Sequence, residues 1–451
     1  MKKNILFLQI LSFISITSCS VSSNNIVYPS QNLIIRFNDH VNQEQINKLN
    51  QKNGIKSFEL ISKELNIIDI KTDTKNIEQI KSIYQNNKLV KYVTPDAKLS
   101  LFPFKASAVD SNFKIKDLSF EPNDPLYQSQ WNATAIEANK AWAITTGSSN
   151  VTVAVIDSGV DPNHPDLKNN LLPLIDIWSE SGQDDIFKTS TGLSIDYIGR
   201  DGNGHGTHVS GIIGAMINNS IGIAGISSSV KILPIKSANY AGDTYASVIT
   251  KAIIRAIDEG AKVINISIGG PKADGTKALQ DAVELAISKG IVISCAVGNE
   301  SDRSKGIITE VTVPAAYSGV LAVGATTEFG KVANYSNGGS EVSLTAPGGF
   351  GAIGEGRKIY STWPTYKTYF GYTENIVGPY AAISGTSMSS PHVAGVAALI
   401  FSKEPNLSAQ KVRVRILSTT ISPPITGFDQ ASGYGQLNAY NALIKNTDDK
   451  N

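Results

Sequence analysis

The sequence predicts an α/β protein: a three-layer α/β/α arrangement on a mostly parallel sheet, preceded by a small α+β domain. Two observations carry this. Three near-continuous apolar runs, Val151-Thr152-Val153-Ala154-Val155-Ile156, Val263-Ile264-Asn265-Ile266-Ser267-Ile268 and residues 291–297, are separated by helical segments such as 245–259 and 279–289. Strands that are apolar on both faces belong to parallel sheets covered on both sides. Ahead of them, shorter elements follow the order β-α-β-β-α-β, which suggests a ferredoxin-like unit. A chain of 451 residues is long enough for one large core plus such a domain.

The N-terminus begins Met1-Lys2-Lys3 and continues as an apolar run from Ile5 to Ile16. That run is shorter than the roughly 20 residues needed to span a bilayer, and it fits the apolar part of a secretory signal. It ends in Ile16-Thr17-Ser18-Cys19, which resembles the lipobox of bacterial lipoproteins. The resemblance implies a signal peptide over 1–18, a lipid on Cys19, and export to the cell envelope with that anchor as the sole membrane contact. Simple secretion is the alternative. Residues 19–30 are small and polar and read as a tether. The second of the two cysteines, Cys295, lies in an apolar run and reads as an inert buried thiol; with Cys19 acylated no intrachain disulfide can form. A net charge of +1 argues for neither nucleic acid nor an anionic surface as partner.

In the small domain, residues 33–37 read as a strand and 44–52 as a helix with Ile46 and Leu49 on one face. Strands follow near 57–61 and 66–70. A second helix places Ile77, Ile80, Ile83 and Tyr84 together, and 89–93 closes as a strand. This domain is assigned to 31–102. Residues 103–121 show no periodicity and read as a linker, and the large domain is assigned to 122–445.

Four segments of the large domain carry chemistry-bearing residues: Val153-Ala154-Val155-Ile156-Asp157-Ser158-Gly159, Gly204-His205-Gly206-Thr207-His208-Val209, Ala296-Val297-Gly298-Asn299 and Gly385-Thr386-Ser387-Met388-Ser389-Ser390-Pro391-His392-Val393. Their order and context resemble the subtilisin family of serine endopeptidases, whose triad runs Asp, His, Ser along the chain. A serine hydroxyl attacks an amide only with a base to take its proton. His205 is the candidate base, since imidazole titrates near neutral pH, and Asp157 would fix its tautomer. Ser387 opens a helix whose N-terminal dipole favours an anion. The resemblance implies that Asn299 and the Ser387 N–H hold the oxyanion. His208 and His392 read as core groups.

The same resemblance makes 31–102 an inhibitory propeptide, an intramolecular partner whose tail lies in the substrate cleft. It makes Ser267, Ile268 and Gly269 one wall of the pocket before the scissile bond, and Ala296, Val297 and Gly298 the other. Neither wall is charged, so apolar or aromatic residues are expected there, with Glu300 at the rim and Thr312 at the floor. A second cleft edge is placed at Tyr240-Ala241-Gly242. A calcium ion is implied, held by Asp124, Asp166 and Asn219 side chains with the carbonyls of Ile217, Ile221 and Ile223; such oxygen-rich sets suit calcium. Two insertions, 168–200 and 348–380, depart from the family pattern; the second carries Trp363, Tyr366, Tyr369, Phe370 and Tyr372. The function expected is hydrolysis of proteins or peptides with broad specificity. The alternatives are a maturation protease for few partners and a surface binding protein without catalysis.

Overall fold

The computed structural model describes residues 32–55, 57–71, 77–107, 120–350, 357–374, 376, 378–421 and 427–445. The expected signal peptide, Cys19 and the tether lie outside them, as do linker residues 108–119.

The small domain has the expected order: β1 (Asn32–Phe37), helix Gln43–Lys52, β2 (Glu59–Ser62), β3 (Ile67–Lys71), helix Ile77–Gln85 and β4 (Val90–Pro95). The strands lie in the order β2-β3-β1-β4, with β1 antiparallel to both neighbours. Asn42 and Gln45 cap each other's backbone at the first helix, satisfying two otherwise orphaned N–H groups. The period of two along β1 divides its side chains between two tasks. Leu33, Ile35 and Phe37 pack with Ile46, Ile68, Ile70 and Tyr84 in the domain's own core. Ile34 faces the other way and, with Ile61 and Ile67, packs on Ala278 of the large domain.

The chain then adds β5 (Lys98–Leu101) and β6 (Lys105–Ser107) before entering the large domain at β7 (Thr152–Asp157) and β8 (Ile175–Asp176). A hairpin of β9 (Ile186–Lys188) and β10 (Ser194–Asp196) lies within the first insertion. There follow β11 (Lys231–Lys236), β12 (Asp243–Tyr245), β13 (Val263–Ile266), β14 (Ile268–Gly269), β15 (Val292–Ala296), β16 (Leu321–Thr326), β17 (Leu344–Pro347), β18 (Ile359–Thr362) and β19 (Tyr380–Ser384). Seven of these form the central sheet, in the order β17-β16-β15-β13-β7-β11-β8. Every pairing in that sheet is parallel.

Strand β7 shows why the sheet needs helices on both sides. Val153 and Val155 join one core with Val209, Ile212, Met388 and Val396, from helices His205–Gly214 and Thr386–Lys403. Ala154 and Ile156 join another core with Ile249, Ala252, Leu279 and Val283, from helices Ala246–Asp258 and Lys277–Ser288. The three-layer expectation therefore holds.

Two expectations are corrected. The run 263–268 is not one strand: it breaks at Ser267, and β14 leaves the central sheet to pair with β5. Serine at the break lets the backbone carbonyl and the hydroxyl turn toward Ser387 instead of a ladder partner. The segment 103–121 is not a linker throughout, because β6 pairs antiparallel with β19.

Candidate active site

Asp157 ends β7, at the carboxyl edge of the sheet, where open α/β folds gather their functional groups. His205 opens its helix after a loop that Asp201 pins. The buried Asp201 carboxylate accepts N–H groups from Asn203 at 3.0 Å, Gly204 at 2.8 Å and Thr207 at 2.9 Å. It also accepts the Ser158 hydroxyl at 2.9 Å. Asp201 thus ties the start of the His205 helix to the residue after Asp157. Sequence reading missed it, although an acidic residue just ahead of a helix start is a capping signal.

The His205 Nδ1 lies 2.8 Å from Asp157 Oδ1, and both side chains are fully buried. The same oxygen accepts the Ser158 N–H at 2.8 Å. Donation from Nδ1 leaves Nε2 as an acceptor, and Nε2 is buried without a hydrogen bond. Ser387 stands one residue into the Thr386–Lys403 helix, with its hydroxyl 3.4 Å from the Ser267 carbonyl. The Ser267 hydroxyl in turn donates to the Ser387 carbonyl at 3.0 Å. Asp157 and His205 are therefore in contact, and Ser387 is turned toward Ser267.

Asn299 follows β15. Its Oδ1 accepts both the N–H and the hydroxyl of Thr386 at 2.9 Å, which fixes the amide so that Nδ2 faces the cleft. Thr386 was not singled out from sequence. Nδ2 donates to the Pro103 carbonyl at 3.0 Å. His208 and His392 behave as core groups. Burial holds His208 down to about 3, with Nε2 on the Ile359 and Ala381 carbonyls, and holds His392 down to about 4. Burial likewise pushes the Cys295 thiol well up, which suits an inert thiol.

The cleft holds residues 98–104 of the same chain. Strand β5 lies between β14 and β12, antiparallel to both, with Leu101 opposite Ile268, Ser100 opposite Gly269 and Leu99 opposite Thr244. The second edge is therefore β12, helped by Gly242, whose carbonyl accepts the Leu101 N–H at 2.9 Å. The expected Tyr240-Ala241-Gly242 edge meets the observed one at Gly242 and continues through β12, because hydrogen-bonded edges leave little trace in composition. Phe102 is buried against the first wall: a Cβ on Gly269 would lie 2.8 Å from its ring and 3.1 Å from Thr312 Oγ1. Thr312 donates its hydroxyl to the Val297 carbonyl at 3.1 Å, so it sits between the two walls. Ala296 is the last residue of β15, and the Gly298 N–H donates to Thr386 Oγ1 at 3.2 Å. The Glu300 carboxylate is engaged by Asn337 Nδ2 at 2.6 Å and by the Asn299 N–H at 2.9 Å.

At the expected calcium site, Asp124 accepts the N–H groups of Asn218 at 2.9 Å and Asn219 at 3.2 Å. Asp166 accepts Asn219 Nδ2 at 2.7 Å and the Ile223 N–H at 3.0 Å. Burial pushes both carboxyls up, Asp166 to about 6, and the nearby Asp124 charge adds to the shift of Asp166. Ile217 and Ile221 lie in the same loop. Among the described residues there is no cluster of three or more His, Cys, Asp or Glu side chains fit for a metal. Any ion here would draw on amide and carbonyl oxygens as well.

Residues 148–435 match the family model described as the subtilase family. A thermophilic serine proteinase from Bacillus sp. (strain AK1) is 32% identical over 434 residues, covering 95% of this chain and 91% of that one. Thermitase from Thermoactinomyces vulgaris is 36% identical, over 72% of this chain and 99% of its own length. Among solved structures, fervidolysin from Fervidobacterium pennivorans, a keratinolytic enzyme related to subtilisin, aligns with a TM-score of 0.75 at 26% identity. That alignment covers 96% of this chain, which spans 63% of fervidolysin. A parallel sheet with an aspartate at one strand end, a histidine on it and a serine at a helix start thus has relatives across nearly its whole length, and this chain belongs to the subtilase family of serine endopeptidases.

Proposed function

We propose that the chain hydrolyses protein or peptide bonds through Ser387 as nucleophile, His205 as base and Asp157 as its orienting partner. Asn299 Nδ2 and the Ser387 N–H receive the oxyanion. The observation that carries this reading is the buried pair of His205 and Asp157 at 2.8 Å, with Nε2 left open as an acceptor. In the reaction, His205 takes the Ser387 proton as the hydroxyl attacks, and later returns it to the leaving amine. Asn299, held by Thr386, is already oriented for the developing charge and needs no reorganisation. Phe102 against Gly269 and Thr312 supports a preference for apolar or aromatic residues before the cut. The test is casein hydrolysis by the purified protein, with the Ser387→Ala variant beside it. A peptide library then separates broad digestion from a dedicated maturation protease, and a protein inert toward every peptide would be a binding protein on this fold.

Residues 31–102 are proposed as the inhibitor of this site. Support comes from charged contacts between the domains: Arg36 and Tyr92 both reach Asp281, Lys289 pairs with Glu64 at 3.0 Å, and Asp96 accepts the Ser247 N–H at 2.9 Å at the start of helix Ala246–Asp258. The cleft register supports inhibition further. The residue in the pocket is Phe102, yet the carbonyl at Asn299 belongs to the next residue, Pro103. The bond a pocket-bound residue would present is therefore out of place, and it is a tertiary amide to proline. Export with a lipid on Cys19, or simple secretion, is proposed on the N-terminal sequence.

A structural calcium ion is proposed at Asp124, Asp166 and Asn219 with carbonyls of Ile217, Ile221 and Ile223. Two carboxyls that burial disfavours as anions, one of them further raised by the other's charge, beside one oxygen-rich loop, fit a divalent cation. The ion would supply loop rigidity rather than chemistry. Chelation is expected to lower the melting temperature by about 5 °C or more, on the scale of losing a ligand present well above its Kd. Calorimetry with and without added calcium checks this. Unchanged melting, or an Asp166→Asn variant just as sensitive to the chelator as the wild type, would count against the site.

A further inference from the structure

The two insertions meet on the His205 side of the cleft. The hairpin of β9 and β10 brings Phe187, and helix Tyr369–Thr373 brings Tyr369 and Phe370. Their rings form a connected series. Phe187 lies 5.2 Å from Tyr369 and 5.3 Å from Tyr240, and Tyr240 is 5.4 Å from Tyr369. Tyr369 lies 5.3 Å from Phe370. The series then enters the cleft: Phe370 is 4.9 Å from Phe104, and Phe104 is 5.1 Å from the His205 imidazole.

This wall is anchored to the segment that positions the base. The Tyr369 N–H donates to the Gly202 carbonyl at 2.8 Å, the Asp201 N–H donates to the Tyr366 hydroxyl at 3.0 Å, and the Tyr197 hydroxyl donates to the Lys367 carbonyl at 2.8 Å. Below it, Trp363 is buried against Gly204, where a Cβ would lie 2.2 Å from the indole. Phe370 is therefore fixed relative to His205 by the 201–204 loop.

The bound segment shows which substrate residue would meet this wall. Phe102 fills the pocket before the cut, so Pro103 stands where the leaving peptide begins and Phe104 is its second residue. Lys105 then pairs with Ser384 in β19, continuing on the same side. Phe104 sits between His205 and Phe370, with its ring tilted 36° to the first and 47° to the second. Tilted rings at such separations gain from quadrupole complementarity beyond the area they bury.

We propose that Phe370, backed by Tyr369, is a specificity-determining residue that selects an aromatic side chain as the second residue of the leaving peptide. This rests on the endopeptidase reading above. An aliphatic residue of similar size keeps the apolar burial but loses the ring-to-ring contact, so the discrimination falls between Phe and Leu at that position.

The test uses the processed full-length enzyme and two fluorogenic peptides that differ only in Phe or Leu at the second position after the cut, with the cut site verified by mass spectrometry. The wild type is expected to favour the Phe peptide by about 2- to 10-fold in kcat/KM. Phe370→Leu brings the ratio close to one, and Phe370→Tyr keeps the preference. Equal cleavage of both peptides by the wild type, or a preference that survives in Phe370→Leu, overturns the assignment. Failure of the wild type to cleave either peptide overturns the endopeptidase reading instead.

Discussion

Replacing Ser387 with alanine is expected to remove casein and peptide hydrolysis, with turnover falling by about 10⁶; that scale is the one known for subtilisin, a member of the same family. Ser387 stands at the start of a buried helix, where the helix dipole favours the charge that develops on the substrate oxygen. Alanine would delete the proposed nucleophile and leave Asn299 and the His205–Asp157 pair in place. Substrate binding is therefore expected to persist while turnover disappears. The substitution also tests maturation: if the chain removes its own residues before the large domain, the variant should accumulate at the precursor mass in denaturing electrophoresis. Hydrolysis equal to wild type would remove Ser387 from the mechanism.

Asn299→Ala should lower kcat by about 10²–10³ with KM little changed, again on the scale known for this family. The split follows from geometry. Nδ2 meets a carbonyl oxygen, and that oxygen gains charge only as the tetrahedral intermediate forms. Its partner Thr386 holds Oδ1 through two hydrogen bonds, so the amide is aimed before substrate arrives. Alanine removes the donor and leaves Thr386 an unpaired N–H, a local cost that should not alter the pocket at Gly269. Steady-state kinetics on one peptide decides the matter; a loss confined to KM would mean that Asn299 binds substrate without favouring the transition state.

The large sheet was legible because a strand buried on both faces has no room for alternation: β7 reads as an unbroken apolar run, and its residues divide between two cores. The small domain was legible from period alone. The extent of its partner surface was not, since Ile34 and Leu33 look alike in sequence while facing different neighbours. At the proposed site, Asp157, His205, Asn299 and Ser387 could be singled out because each sits in a short segment of distinctive composition. What holds them was not visible. Asp201 acts through backbone N–H groups, and Thr386 acts through an amide 87 positions away. Residues 105–107 were read as linker for the same reason: β5 and β6 take their partners from 143 or more positions further along, and nothing local marks 105–107 as a strand. The aromatic residues of the second insertion were visible as a list, but their convergence on His205 depends on the hairpin 180 positions earlier closing against them.

If His205, oriented by Asp157, is the base that activates Ser387 once residues 98–104 have left the cleft, the activated hydroxyl can be trapped chemically. A fluorophosphonate probe reads this directly, because it forms a stable bond only with an activated serine. After processing, peptide mapping by mass spectrometry should find one adduct, on Ser387, and His205→Ala should abolish it. Modification at a different serine, or labelling of Ser387 that is undiminished in His205→Ala, would contradict the account.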